Sequence, residues 1–192
     1  MGRLSSHLVR SALAACAVAS ALRAQGGAAQ RGSQADATFM RDMIAHHAQA
    51  IEMSALIPAR TTREDMRLLG ERIDVSQKDE IAMMQRWLRE HDADTAVAHH
   101  HMESMIMPGM LTAAQLAQLD KARGAAFERL FLEGMIRHHE GALTMVAQLL
   151  AQRGAAQESQ VFQFASDIDA DQRAEIARMR RLLDGKRAAR HH

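Results

Sequence analysis

The sequence predicts an all-α protein: a four-helix bundle made of two repeated helical hairpins. Three observations carry that expectation. Ala, Leu, Arg, Gln, Glu and Met dominate a 192-residue chain that holds no Tyr, one Trp, five Phe and two Pro. Helix formers are therefore abundant, and the residues that favour pleated sheets are scarce. The chain repeats itself at long range, and within each repeat the apolar residues recur at helical spacing. With 47% apolar and 24% charged residues, wholesale disorder is excluded. A chain of this length can bury roughly 70% of its unfolded surface.

The elements follow in order. Residues 1–24 read as an export signal: Arg3 and Arg10 without an acid, a small and apolar run from Ser11 to Leu22, and Ala19-Ser20-Ala21 or Ala24-Gln25 as cleavage points. That run is too short to span a bilayer, which takes about 20 residues. Leu13-Ala14-Ala15-Cys16 offers the alternative of a lipidated Cys16, the one route by which the chain would be tied to a membrane. Residues 25–35 form a flexible segment, and residues 36–185 the bundle, interrupted by a linker at 91–111.

The first long helix is expected from Asp36, as its N-cap, to Ile57, with Pro58 ending it. The second runs from Arg63 to Glu90. Thr112 caps a short helix that reaches Arg123, and Gly124 breaks it. A long helix follows from Ala125 to Gln152 with Gly154 as C-cap, and the last spans Gln157 to Leu183, closed by Gly185. The hairpins should share one core, because a lone hairpin buries too little to offset its chain entropy.

The repeat is explicit. Phe39-Met40-Arg41-Asp42-Met43-Ile44-Ala45-His46-His47 aligns with Phe131-Leu132-Glu133-Gly134-Met135-Ile136-Arg137-His138-His139, and the same offset carries Ala50 onto Ala142 and Met53 onto Met145. A second match pairs Gln77, Glu80, Met84 and Leu88 with Gln172, Glu175, Met179 and Leu183. Phe39, Met43, His46, His47, Ala50, Met53 and Ile57 share one helical face. Both His pairs therefore lie on the core stripe, bracketed by methionines.

A neutral imidazole in a core needs a hydrogen-bond partner or a metal. Glu80 and Glu175 could satisfy structural histidines, or orient them as ligands. Doubling of the pair favours metal ligands: His46, His47, His138 and His139, supplemented by Met43, Met53, Met135 and Met145, each set converging on one ion. The linker holds a second and weaker candidate site in His99, His100, His101, Met102, Met105, Met107 and Met110. Imidazole suits Cu, Zn and Ni, whereas thioether selects Cu(I) and Ag(I). Copper in either redox state fits the mixture best, with Ag(I) as a further candidate.

Exclusions narrow the function. Loss of residues 1–24 leaves 21 basic against 23 acidic residues, so there is no electrostatic case for nucleic acid. Cys16 is the only cysteine, so the processed chain has neither a disulfide nor a thiolate site. No Glu-x-x-His, P-loop, H-E-x-x-H or serine-nucleophile motif occurs, and the reading is of a binding protein rather than an enzyme.

The two Phe-x-x-x-Met-x-x-His-His-x-x-Ala-x-x-Met stretches at 39–53 and 131–145 resemble the exported family catalogued as domain of unknown function three hundred and five, which includes the CopM-like copper-binding proteins. Met107-Pro108-Gly109-Met110, Phe127-x-x-Leu130-Phe131-Leu132 and Gln77-x-x-Glu80-Ile81-x-x-Met84 extend the resemblance over nearly all of the processed chain. It implies a ferritin-like bundle, a periplasmic or secreted location, and copper binding, resistance or transfer with efflux or delivery proteins as partners. The alternative is a metal-free periplasmic helical protein with a structural or partner-binding role.

Overall fold

The computed structural model describes residues 34–91 and 107–188. Within them the chain forms α1 (34–55), α2 (Ile57–Arg60), α3 (Glu64–Glu90), α4 (Ala113–Lys121), α5 (Gly124–Ala151) and α6 (Ser159–Ala188), and no strand. The long helices α1, α3, α5 and α6 make a four-helix bundle. At 1.5 Å per residue, the 28 residues of α5 reach about 42 Å.

Two apolar clusters show how the helices run. One gathers the N-terminal parts of α1 and α6 (Phe39, Met40, Met43; Val161, Phe164, Ile168) with the C-terminal parts of α3 and α5 (Met84, Trp87, Leu88; Met145, Val146, Leu149). The other gathers the opposite ends: Ala50, Met53 and Ile57; Met66, Leu69 and Ile73; Phe127, Phe131 and Met135; Ile176 and Met179. Hence α1 and α6 point one way and α3 and α5 the other. Each hairpin is antiparallel, and a pseudo-two-fold axis crosses the bundle at right angles to its length. The parallel pair α3 and α5 requires the chain to return along the whole bundle between them, the single long crossover of a ferritin-like fold. Each apolar half draws on all four long helices, so neither hairpin owns a core of its own.

Several boundaries differ from the sequence expectation. Asp36 lies inside α1 instead of capping it, and its carboxylate accepts the Ala156 N–H at 2.8 Å, tying α1 to the α5–α6 turn. Pro58 does not end the first helix. The chain turns at Leu56, and Pro58 occupies the first turn of α2, where its missing N–H costs nothing. Gly185 lies within α6, with open space around its Cα, so nothing there stops the helix. Gly124 opens α5 at φ +52°. Thr112 caps α4 through a reciprocal pair of hydrogen bonds with Gln115, at 3.2 and 2.9 Å.

The end of the crossover, Met107–Leu111, lies as a strap over the seam between α1 and α5. Gln49 of α1 grips it with its carboxamide, donating to the Leu111 carbonyl (3.0 Å) and accepting the Leu111 N–H (2.7 Å). Gly109, at φ +76°, sits against the Arg137 carbonyl and Gly141. A Cβ on Gly141 would fall 1.9 Å from the Pro108 oxygen, so only glycine leaves the strap its seat.

Candidate metal centre

Between the two apolar halves all four long helices turn polar at one level. From α1 and α5 come His46, His47, His138 and His139, each at most 1% exposed. From α3 and α6 come Gln77, Glu80, Gln172 and Glu175, all buried. Helical register explains the layer. Ile73, Gln77, Glu80 and Met84 share the inward stripe of α3, and Ile168, Gln172, Glu175 and Met179 that of α6.

Every histidine is held through Nε2. His46 donates to the Pro108 carbonyl at 2.9 Å, and His138 to the carbonyl of His46 at 3.0 Å. His47 is bonded to Glu80 Oε2, and His139 to Glu175 Oε2 at 2.6 Å. A carbonyl or carboxylate only accepts, so each Nε2 carries a proton, and in the neutral ring Nδ1 keeps a lone pair. All four Nδ1 atoms are buried without a partner. The His46 and His138 rings stand 3.8 Å apart near the two-fold axis, while His47 and His139 lie further out, at 6.4 and 6.1 Å from their neighbours in sequence.

Burial pushes His46 down to about 3, against the Pro108 carbonyl, with His47 and His139 adding to the lowering. Burial likewise holds His138 well below the ordinary histidine range, helped by His46, His139 and His47. Both rings are neutral at neutral pH, the form in which imidazole binds metal.

The orphaned Nδ1 lone pairs fit a soft or borderline cation. The ligands are not yet gathered, however: among the described residues no three His, Asp, Glu or Cys side chains stand together so as to hold an ion. The four candidate methionines of the repeats are buried, but they divide. Met43 and Met145 belong to one apolar half, Met53 and Met135 to the other. Met43 and Met53 are ten residues apart on one helix, about 15 Å along its axis, so the two methionines of one repeat do not converge on a single point. Each half of the core receives one methionine from each repeat instead, flanking the layer above and below. Met84 and Met179, one turn beyond Glu80 and Glu175, flank it too.

Of the linker candidates, His99, His100, His101, Met102 and Met105 lie outside the described residues, as do residues 1–24 with Cys16. Met107 and Met110 are half-buried in the strap, beside the Pro108 carbonyl that holds His46. The sequence carries no signal for that carbonyl or for the grip of Gln49, because neither backbone atoms nor long-range clamps are periodic. In the sequence Gln77 and Gln172 stand out as repeat partners, and Gln77 also opens the Gln77-x-x-Glu80-Ile81-x-x-Met84 stretch.

On the opposite face, α3 and α6 diverge around a groove of about 720 Å³. Glu80 and Glu175 line it together with Glu71, Asp79, Asp167 and Asp171. Burial, then the nearby Glu80 and Glu175, raise the Asp171 carboxyl above its usual range. The carboxylates that hold His47 and His139 thus connect the buried layer to an acidic surface.

Comparisons with known proteins agree with this architecture. The family described as Domain of unknown function (DUF305) matches residues 36–183, and the chain belongs to it. A DUF305 protein from Streptomyces coelicolor, described as a candidate secreted protein, is 32% identical with a TM-score of 0.70, over 79% of this chain and 93% of that one. A DUF305 fragment from Deinococcus radiodurans is 30% identical with a TM-score of 0.68, over 78% of this chain and 95% of the fragment. CopM in its Cu(I)-bound form shares the fold at 24% identity and a TM-score of 0.62, over 78% of this chain and 96% of CopM. No curated protein matches the sequence. Among the described residues no helix is long and apolar enough to cross a membrane.

Proposed function

We propose that this DUF305 protein is an exported metal-binding protein whose cargo is copper, held in the buried histidine layer for buffering, resistance or transfer. One observation carries the reading: four buried imidazoles, each with Nε2 committed as a donor, leave four Nδ1 lone pairs without partners. Leaving such atoms unpaired costs roughly 1–3 kcal/mol apiece, which metal ligation would recover. His46, His47, His138 and His139 are the nitrogen donors. Glu80 and Glu175 orient the outer pair and fix its tautomer, and the Pro108 and His46 carbonyls do the same for the inner pair. Met43, Met53, Met135 and Met145 supply thioethers from above and below, favouring Cu(I) or Ag(I) over Zn. CopM, of the same fold, has been solved with Cu(I), Cu(II) and Ag, which supports a copper-type cargo. The linker residues from His99 to Met110 supply a separate, weaker site of imidazoles and thioethers. Export rests on the leader at 1–24 and on the description of the Streptomyces relative.

A metal-free, partner-binding helical protein is the second reading, favoured by the absence of three gathered His or carboxylate ligands among the described residues. Copper titration separates the two. Wild type is compared with a variant carrying Ala at the four core histidines and with one carrying Ala at His99, His100 and His101. The core variant should lose the tighter sites. If it stays folded and binds as much copper with equal affinity, the histidine layer is structural.

A further inference from the structure

Gln77 and Gln172 are the least explained residues of the layer. Each is 1% exposed, they occupy equivalent positions in the two repeats, and each lies one turn before the glutamate that holds a histidine. The Oε1 of both is buried without a partner. An amide oxygen in that state loses its hydration for nothing in return, and the same loss taken twice at equivalent positions points to a shared use.

The inventory of unpartnered atoms says what that use is. In the layer stand four imidazole Nδ1 atoms and two carboxamide oxygens, all lone-pair donors. Among the described residues the unpartnered buried atoms that carry protons are the Gln77 Nε2 and the Ser54 hydroxyl, and Ser54 lies two turns beyond His47, about 10 Å along α1. Such a set attracts a cation. Because no third histidine or carboxylate is gathered with any pair, the further donors at hand are the methionine sulfurs and the two glutamine oxygens. The sulfurs belong to the apolar halves, whereas the carboxamides belong to the layer itself.

We propose that Gln77 and Gln172 are metal ligands, one oxygen from each repeat, and that they set the layer's preference between oxidation states. The proposal rests on the histidine layer being the copper site. A carbonyl oxygen is a hard donor that Cu(II) accepts and that Cu(I) and Ag(I) pass over in favour of thioether. The glutamines therefore hold the divalent ion and the flanking methionines the monovalent one, so the layer serves both states with different neighbours.

The test uses the full chain with His99, His100 and His101 changed to Ala, so that the linker does not compete. On that background Gln77→Leu/Gln172→Leu removes both unpartnered oxygens together with the unpartnered Gln77 Nε2, a change the fold should tolerate. Cu(II) affinity should fall about 10-fold or more, the Cu(II) electron paramagnetic resonance spectrum should change, and Ag(I) affinity should stay within about 3-fold. Equal shifts for Cu(II) and Ag(I), or superimposable spectra, would overturn the proposal. Should the leucine variant misfold, Gln77→Glu/Gln172→Glu keeps an oxygen at each position. It should then retain Cu(II) binding, and losing it would count against the glutamines. A parent that binds neither ion would instead sink the histidine-layer reading itself.

Discussion

The two repeats place the same residues at the same level, yet they are not equivalent. In the first, His46 and Gln49 of α1 reach outward to the strap, His46 to the Pro108 carbonyl and Gln49 to both backbone groups of Leu111. In the second, His138 reaches no further than the His46 carbonyl, and the position of Gln49 is taken by Gly141, whose bare Cα gives the strap its seat. One repeat grips the crossover and the other makes room for it. The outer residues keep the symmetry, His47 with Glu80 and His139 with Glu175. A duplicated chain can thus hold a symmetric layer at its centre while the strap Met107–Leu111, laid against α1 and α5, breaks the symmetry at its edge.

Separating the repeats should have the largest effect. Residues 36–92 expressed alone leave both apolar halves open, since each half needs all four long helices. Circular dichroism and sedimentation should find a poorly folded or self-associating fragment. A monomeric half that unfolds cooperatively would show that the shared core is unnecessary.

Acid should come next, and it acts on both repeats together. Folding lowers His46 to about 3 and His138 well below its usual value. The unfolded chain therefore takes up protons first, near the ordinary value of about 6.5. Stability from these groups is complete above that pH and is lost progressively as pH falls toward the folded values. Each histidine should cost about 2 kcal/mol between pH 7 and pH 5, at about 1.4 kcal/mol per pH unit below 6.5. Urea unfolding of metal-free protein at the two pH values measures the loss, and an unchanged midpoint would contradict the burial of neutral rings.

Substitutions beneath the strap then distinguish the repeats. In an open helix Gly→Ala gains about 1 kcal/mol. At Gly141 the new Cβ would meet the Pro108 oxygen at 1.9 Å and its carbon at 2.4 Å. Gly141→Ala should therefore destabilise by about 3 kcal/mol, the upper range for overpacking. Gln49→Ala, at the matching position, leaves the Leu111 N–H and carbonyl unpaired and should cost about 2 kcal/mol. Thermal melts giving the reverse order would mean that grip matters more than room.

The smallest effect should also be the most symmetric. Glu80→Gln and Glu175→Gln each weaken the acceptor behind one outer histidine, and each should lower copper affinity about 10-fold. Isothermal titration of the two variants should give similar losses. A large loss at one and none at the other would place the metal in a single repeat.

Much of this architecture could be read along the chain. Helix formers, the long-range repeat and 3.6-residue periodicity specify four long helices and put His46, His47, His138 and His139 on their inward faces, because periodicity reports which side of a helix is buried. The reciprocal Thr112–Gln115 cap is equally local. Helix ends were less legible. Asp36 looks like a cap but serves a backbone N–H 120 residues away, and Gly185 looks like a stop where no competing contact ends α6.

Tertiary structure alone decided which helices meet. Periodicity assigns a face to each helix but not its neighbour, so the parallel course of α3 and α5 and the division of the methionines between two apolar halves come from the bundle. The orientation of each imidazole is set the same way. Its Nε2 is claimed by a carbonyl or carboxylate from another segment, and the freedom of Nδ1 follows from that claim. Gly141 makes the same point, since its need for a missing side chain exists only once Pro108, far back in the chain, has been laid across it.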